Sequence, residues 1–417
     1  MFDLIVIGAG SGGTGAAITA ARAGMRTLWV EGEGMLGGTG VNAFVNVWQP
    51  AYTRSALARE IAERLIATGG ACYNAGSIDT PSGRPIYRRA EGVRYEDTLS
   101  RWHDRATGLI NPGVVYDPRA MESLLREMAA EAGVTVWDTT TCLDVRTAPS
   151  ADGLRRVTAV EVSSPRGREW VEAGAVIDAT ADIAVARRAG CAWSIGREAR
   201  EAYSEPSAPE TPEFKLNGPT LCFTIAPGAD RVALPAEGYG HDSDWAHIGQ
   251  LPDGAYYVNM VFQLPGEEAW MLGGEATRER LLGNIARRWP RVQAAYGLQG
   301  YGITALAPRT GYREGPRLVG RYVLTETDFR LGHYGAHHPD CIAFTDHALD
   351  RHCPDGGCIE AAHGPMGIPL RCLQPREFDN LLVASRGASF TSLAASAARL
   401  QRNMIELGEA AARHLVG

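Results

Sequence analysis

The 417-residue sequence predicts an α/β protein: a parallel sheet extended by an antiparallel β-meander and interrupted by an inserted α+β unit. Three observations predict it. An apolar run at residues 3–7 leads into Gly8-Ala9-Gly10-Ser11-Gly12-Gly13 and then an alanine-rich stretch with no strand alternation. Short β-type runs at 134–138, 157–162 and 169–171, separated by polar turns, are followed by an apolar strand at 175–180. A last apolar run at 379–387 ends in a glycine turn and precedes a helical period. Composition agrees, because 45% hydrophobic and 21% charged residues can bury a sizeable core and exclude a disordered or collagen-like chain.

Composition also removes several functions. The single lysine, Lys215, has no Walker motif around it, so P-loop phosphate chemistry and most Schiff-base chemistry are excluded. A net charge of −7 without a basic cluster argues against nucleic acid as a partner. The first residues are too short and wrongly flanked for a signal peptide or a membrane span, so a cytoplasmic protein without a membrane partner is expected. Eight scattered cysteines are then expected to be thiols. Forty-nine glycines are well above the usual share of about 7%, a sign of tight turns or close backbone approach.

Taken in order, residues 3–7 form a strand of the kind buried on both faces, and 14–23 a helix lying close to a sheet. Residues 26–30 form a second strand ending at Glu31. This is the dinucleotide fingerprint in its required context: Gly8 for the turn, Gly10 for approach to a pyrophosphate, Gly13 for helix–strand packing, with Ser11 and Gly12 in the phosphate-binding turn. The helix N-terminus holds phosphate, and Glu31 accepts the ribose hydroxyls while repelling a 2′-phosphate.

The residues after Glu31 separate FAD from NAD. Gly34, Gly37, Gly38 and Gly40 make a second glycine-rich loop around Thr39. The stretch 30–40 resembles the FAD-dependent oxidoreductase family with the glutathione-reductase-type fold. Ala179-Thr180-Ala181-Asp182 resembles that family's ATGD motif, with Ala181 where glycine is usual, and Arg386-Gly387 ends its returning strand. The resemblance covers about residues 1–50, 115–200 and 300–417. It implies a Rossmann-like FAD-binding domain from 1–50, 115–200 and 365–417, and a substrate domain from 51–114 and 201–364. It also implies that one long helix over 391–414 aims its N-terminus at the flavin, and that Ala179, Asp182, Arg386 and Gly387 belong to the cofactor site. Within the insert, 204–212 reads as a surface loop, 220–225 and 256–264 as strands, and 276–289 as a helix with arginines on its polar face.

No second GxGxxG, no cysteine in the loop after Glu31 and no WxWxIP pattern occurs, which argues against a built-in NAD(P)H domain, a disulfide reductase and a flavin halogenase. Arg313 and Arg317 lie in a stretch resembling the family's G-x-R-E-x-x-R-x-x-G and are candidates to hold a substrate carboxylate, with structural ion pairing the alternative. His333, His337, His338, His347, His352, Cys353, Cys358 and His363 form a polar cluster. Zinc, a Cys353–Cys358 redox pair and a covalent flavin link are weighed there; the commoner reading is an active-site loop over 346–367 in which His352, or second His363, moves a proton. No metal is assigned. The sequence therefore predicts hydride transfer between a small-molecule substrate and FAD, with an external electron donor or acceptor and compatibility with a homo-oligomer. A flavin monooxygenase and an electron-transfer subunit are the alternatives.

Overall fold

A computed structural model describes residues 1–100, 109–331, 338–353, 357–359 and 364–417, and two sheets organise them. In the seven-stranded sheet, Phe2–Ile7 runs parallel between Thr27–Val30 and the C-terminal half of Gly167–Asp178. Thr135–Trp137 adds beside Thr27–Val30, and Leu381–Val383 beside residues 176–178, both in parallel. Leu4, Ile5 and Val6 are completely buried, as the unbroken apolar run requires of a strand covered on both faces.

The meander is present with different members. Residues 167–172 pair antiparallel with Arg155–Ser164, which pairs with Thr141–Pro149. Residues 169–171 and 175–180, expected as two strands, are one strand, Gly167–Asp178. Gly174, between the two expected runs, is a point of close approach: a Cβ there would lie 2.8 Å from the Asp3 carbonyl oxygen. The run at 134–138 becomes the edge of the parallel sheet rather than part of the meander.

The eight-stranded sheet takes Val47–Trp48, Ala71–Ser77, Ile86–Arg89, Gly113–Tyr116, Phe223–Pro227, Ala246–Gln250, Tyr256–Met260 and Tyr301–Leu306. One face carries Ile86, Phe223, Ile225, Ile248 and Val258 against Leu281, Ile285, Trp289 and Val292 of the helix Gly274–Tyr296. Each such buried side chain contributes roughly 1.5–3 kcal/mol. The helix outruns the expected 276–289 and contains Pro290. Arg288 departs from the expected polar face: it is fully buried and donates to the carbonyls of Ser243, Val261 and Trp245, and burial pushes its pKa down to about 10.

Sheet membership redistributes the expected segments. Val47–Trp48 and all of Gly113–Tyr116 belong to the eight-stranded sheet, whereas Leu57, Ala58 and Ile61 of the helix Ala56–Ala67 join the core of the other. The loop at 204–212 is not simply a surface feature. Glu205 is buried and accepts hydrogen bonds from the Thr391 hydroxyl and the Glu326 N–H, both at 2.6 Å.

The expected long C-terminal helix is two, Ser392–Ala397 and Gln401–Val416, separated by a turn in which Leu400 is extended. The second crosses the first helix of the chain, Ser11–Arg22, at backbone contact: a Cβ on Gly15 would overlap the Ile405 carbonyl, and one on Gly408 would overlap the Gly12 carbonyl. No described helix is long and apolar enough to cross a membrane.

Candidate active site

A cleft of about 1550 Å³ lies between the C-terminal edge of the parallel sheet and the second sheet. That exceeds the roughly 300–1,000 Å³ of a site for one drug-sized ligand, leaving room for a cofactor and a substrate.

At one end the strand Phe2–Ile7 delivers the glycine turn. Gly8 has φ +100°, and a Cβ there would lie 2.7 Å from the Ala179 carbonyl oxygen, so glycine is required on both counts. Trp29, wholly buried on the next strand, donates its indole N–H to the Gly8 carbonyl at 3.1 Å and fixes the turn. Gly10 caps Ser11–Arg22 without a side-chain hydrogen bond, and no acidic residue occupies the first turn, so its N–H groups and dipole face the cleft. A Cβ on Gly12 would overlap the Ala384 carbonyl, and one on Gly38 would lie 2.6 Å from Gly10 Cα; the two glycine loops are locked together.

Glu31 ends the strand Thr27–Val30 and is only 8% exposed. Burial raises its pKa, opposed by the Glu33 and Ala9 N–H groups, which donate to its two oxygens at 2.7 Å each. A carboxylate fixed in this way keeps further lone pairs for ribose hydroxyls. Glycine cradle, uncapped helix terminus and fixed acid all suit a dinucleotide with two adjoining phosphates, and thus fit FAD.

Of the residues singled out from sequence, Gly8, Gly10, Ser11, Gly12, Glu31, Gly38, Thr39, Ala179, Arg386, Arg313 and His352 line the cleft. Gly13, Gly37, Asp182, Gly387 and Arg317 are not part of its lining. A Cβ on Gly13 would overlap the Gly8 carbonyl, and the Gly37 N–H donates to the Ala9 carbonyl at 2.7 Å. Asp182 is half-exposed and pairs with Arg386 at 3.0 Å. A Cβ on Gly387 would lie 2.5 Å from the Ile183 side chain. His333, His337 and His363 lie outside the described residues.

His352 and Arg313 meet at the other end. His352 Nε2 is 2.6 Å from Asp350 Oδ2, and Arg399 reaches the same oxygen at 3.2 Å. Burial and the Arg313 charge push the His352 pKa down to about 3 against the pull of Asp350, so the imidazole is neutral at ordinary pH. Its Nε2–H then donates to Asp350, which leaves Nδ1, buried and without a partner among the described residues, with its lone pair. Arg313 donates to the Gly218 carbonyl at 2.8 Å and to Asn259 Oδ1 at 3.4 Å, and burial lowers its pKa to about 10. Among the described residues it forms no ion pair.

Arg317 overturns the expectation that it holds substrate. It is 1% exposed, and its donors go to Glu314 (2.6 Å), Glu198 (2.7 Å) and the carbonyls of Phe390 (3.1 Å) and Gly196 (2.5 Å). Glu314 in turn accepts from the Asn217 N–H and side-chain amide, and Asn217 Oδ1 accepts the His352 N–H at 2.6 Å. Arg317 thus stands behind His352 through two intermediates. Of the other described histidines of the cluster, His338 pairs with Asp328 away from the cleft, whereas His347 lines the cleft with Nδ1 2.8 Å from the Ala348 carbonyl, and Cys358 lines it too. Cys353 takes a hydrogen bond from Arg197, and Cys358 donates to Asp350. No group of three metal-binding side chains forms among the described residues.

Three contributors were missed in the sequence. Asp178 is fully buried and accepts from Thr180 and from the Val185 and Ala186 N–H groups, which ties the strand end to the short helix Ala184–Arg188; burial raises its pKa. Gln401, first residue of Gln401–Val416, accepts from Tyr116 and Trp48 and donates to the Val45 carbonyl. With Leu400 and Arg402 it makes this the helix N-terminus that lines the cleft, in place of the expected one at residue 391. Asn74 is the third. Gln401 carries no local signal because its partners are distant in the chain, whereas Asp178 bonds within its own strand-to-helix turn but lies in no motif read from the sequence.

Among curated proteins no match is found. Solved structures with a related fold include a geranylgeranyl bacteriochlorophyll reductase-like protein from Thermoplasma acidophilum, 16% identical, covering 100% of this chain and 78% of that one at a TM-score of 0.49. A flavin-dependent brominase triple mutant is 12% identical, covering 100% and 81% at 0.48. A p-nitrophenol 4-monooxygenase from Pseudomonas putida is 16% identical, covering 77% and 69% at 0.41. The family model for FAD dependent oxidoreductases matches residues 3–414. With a glycine cradle, a fixed carboxylate at Glu31 and a family match spanning nearly its whole length, the chain belongs to the FAD dependent oxidoreductase family.

Proposed function

We propose that this enzyme passes a hydride between FAD and a small polar substrate bearing an anionic group. One observation carries the reading: a single cleft is lined by the glycine turn with Glu31 and, further along, by the His352–Asp350 pair beside Arg313. Bound FAD supplies a ring that takes up or returns a hydride. Arg313 holds the substrate anion and so orients the bond that is oxidised. His352 Nδ1 accepts the proton of the substrate O–H or N–H as the hydride leaves, and returns it in the reverse direction. Asp350, whose pKa is lowered against burial by the His352 hydrogen bond and further by Arg399, fixes the ring tautomer. Gly10 and the first turn of Ser11–Arg22 hold the phosphates, Glu31 the ribose, and Asp182 and Arg386 the flank of the cofactor site. An external electron donor or acceptor completes turnover.

The test is anaerobic mixing of the FAD-loaded protein with a panel of small 2-hydroxy and 2-amino acids while the visible flavin band is followed. Bleaching by one of them, with Arg313→Gln raising the half-saturating concentration at least tenfold and His352→Gln slowing the rate, is the expected result. Bleaching unaffected by either substitution overturns the assignment. Substrate turnover only in the presence of oxygen, with oxygen incorporated, would replace it with a monooxygenase.

A further inference from the structure

Strand alternation sets the chemistry of the cleft's far wall. The face of the eight-stranded sheet turned away from the helix Gly274–Tyr296 carries Asn74, Tyr87, His247, Tyr257 and Asn259. Four of the five have partners. Asn259 accepts from Thr220 at 2.8 Å, Tyr257 bonds to His247 Nδ1, and Tyr87 stacks on His247 with ring centroids 4.3 Å apart and planes 9° from parallel. Asn74 is the exception. It is 1% exposed, it lines the cleft, and among the described residues neither its side-chain oxygen nor its side-chain nitrogen has a hydrogen-bond partner. A buried amide with both ends unmet is costly to keep, and such groups in native proteins call for an explanation.

Among the described residues, the cleft-lining neighbours on this wall are polar and either neutral or paired; Arg89, opposite Asn74 in the ladder, is exposed and does not line the cleft. Burial holds His247 neutral, with its pKa pushed down to about 4, and Arg84 is paired with Asp244. A carboxylate or ammonium placed against Asn74 would be buried without a counter-ion. A neutral group with a donor and an acceptor side by side would satisfy both ends at once.

We propose that Asn74 is the recognition group of a second substrate subsite, on the sheet wall of the cleft, which takes a carboxamide or lactam. Its N–H would donate to Asn74 Oδ1 and its carbonyl accept from Asn74 Nδ2, beside the flat Tyr87–His247 pair. The inference rests on the reading of this cleft as the substrate site and adds the chemistry of the substrate's other end.

The probes are benzamide, benzoate and cis-1,2-cyclohexanediol, each titrated into the FAD-loaded protein by calorimetry and by perturbation of the flavin spectrum. Benzamide should bind, and Asn74→Leu should weaken it at least tenfold while benzoate binding is unchanged. Because the substitution removes an unpaired polar group, the thermal midpoint should not fall; if Asn74→Leu fails to fold, Asn74→Asp, which lacks the donor, is read with the same probes and should also weaken benzamide. Benzamide binding that is absent from the yellow wild-type protein, or equal in the variants, overturns the proposal. Binding of the diol alone, lost in Asn74→Leu, overturns the carboxamide class. Failure of the parent reading is separate: it shows as a protein that retains no FAD, or as benzoate binding indifferent to Arg313→Gln, whatever benzamide does.

Discussion

Arg313 and Arg317 are four residues apart and chemically identical, yet the fold gives them opposite situations. Arg317→Ala leaves Glu198 and Glu314 buried without their cation and should destabilise the protein by about 3–5 kcal/mol, read by chemical denaturation. Arg313→Ala should cost far less stability and appear in substrate affinity. Glu31→Gln keeps the shape but weakens acceptance from ribose, so FAD should be lost at least tenfold more readily on dilution, measured by the fluorescence of released flavin. The low pKa of His352 has a sign that can be checked. An unperturbed histidine would lose its basic form below about pH 6.5, whereas His352 keeps its lone pair until pH approaches 3; the acid limb of kcat/KM should therefore not show an ordinary histidine, and Asp350→Asn should lower the rate. Glu31, Gly8, Gly10, Gly12, Gly38 and His352, all of which line the cleft, could be picked as candidates from the sequence because their signals are local or contiguous. The sequence could not tell Arg313 from Arg317, because the partners that decide between them, Glu198, Gly196 and Phe390, come from other segments.

At the scale of elements, the crossing of Ser11–Arg22 by Gln401–Val416 depends on two glycines facing backbone. Gly15→Ala and Gly408→Ala should each lower the thermal midpoint strongly, by several kcal/mol of stability, since neither neighbour is a side chain that can move aside. Both lie within helices, where glycine is otherwise unfavourable and where only the packing explains it. The break at 398–400 was not legible in a sequence of good helix formers with an unbroken helical period. Two buried carboxylic acids also mark this region, Glu205 beside Thr391 and Glu406 beside Thr53; burial raises both pKa values to about 7. The folded state thus binds protons that the unfolded chain has released above about pH 4.5. Stability should fall as pH rises from there to about 7, and Glu205→Gln with Glu406→Gln should flatten that slope in denaturation curves taken across the range.

For the whole molecule, the class of fold and the cofactor half of the cleft were readable because strand, glycine turn, helix and acid are consecutive. The far wall of the cleft was not, since Asn74, Tyr87, His247 and Asn259 reach it from separate strands and none lies in a motif. FAD that binds only the folded chain should raise stability by about 2.7 kcal/mol at a hundredfold excess over its Kd, so removing it should lower the thermal midpoint measurably. The interleaving of the two sheets carries a further consequence, for biosynthesis. The helix Ser11–Arg22 is made about 360 residues before the strand Leu381–Val383 and the helix Gln401–Val416 that complete its surroundings. Until those are made, the nascent chain exposes the apolar faces of Phe2–Ile7 and Ser11–Arg22. Flavin capture is accordingly expected to await synthesis of residues 381–416, and those uncovered faces to be aggregation-prone until then.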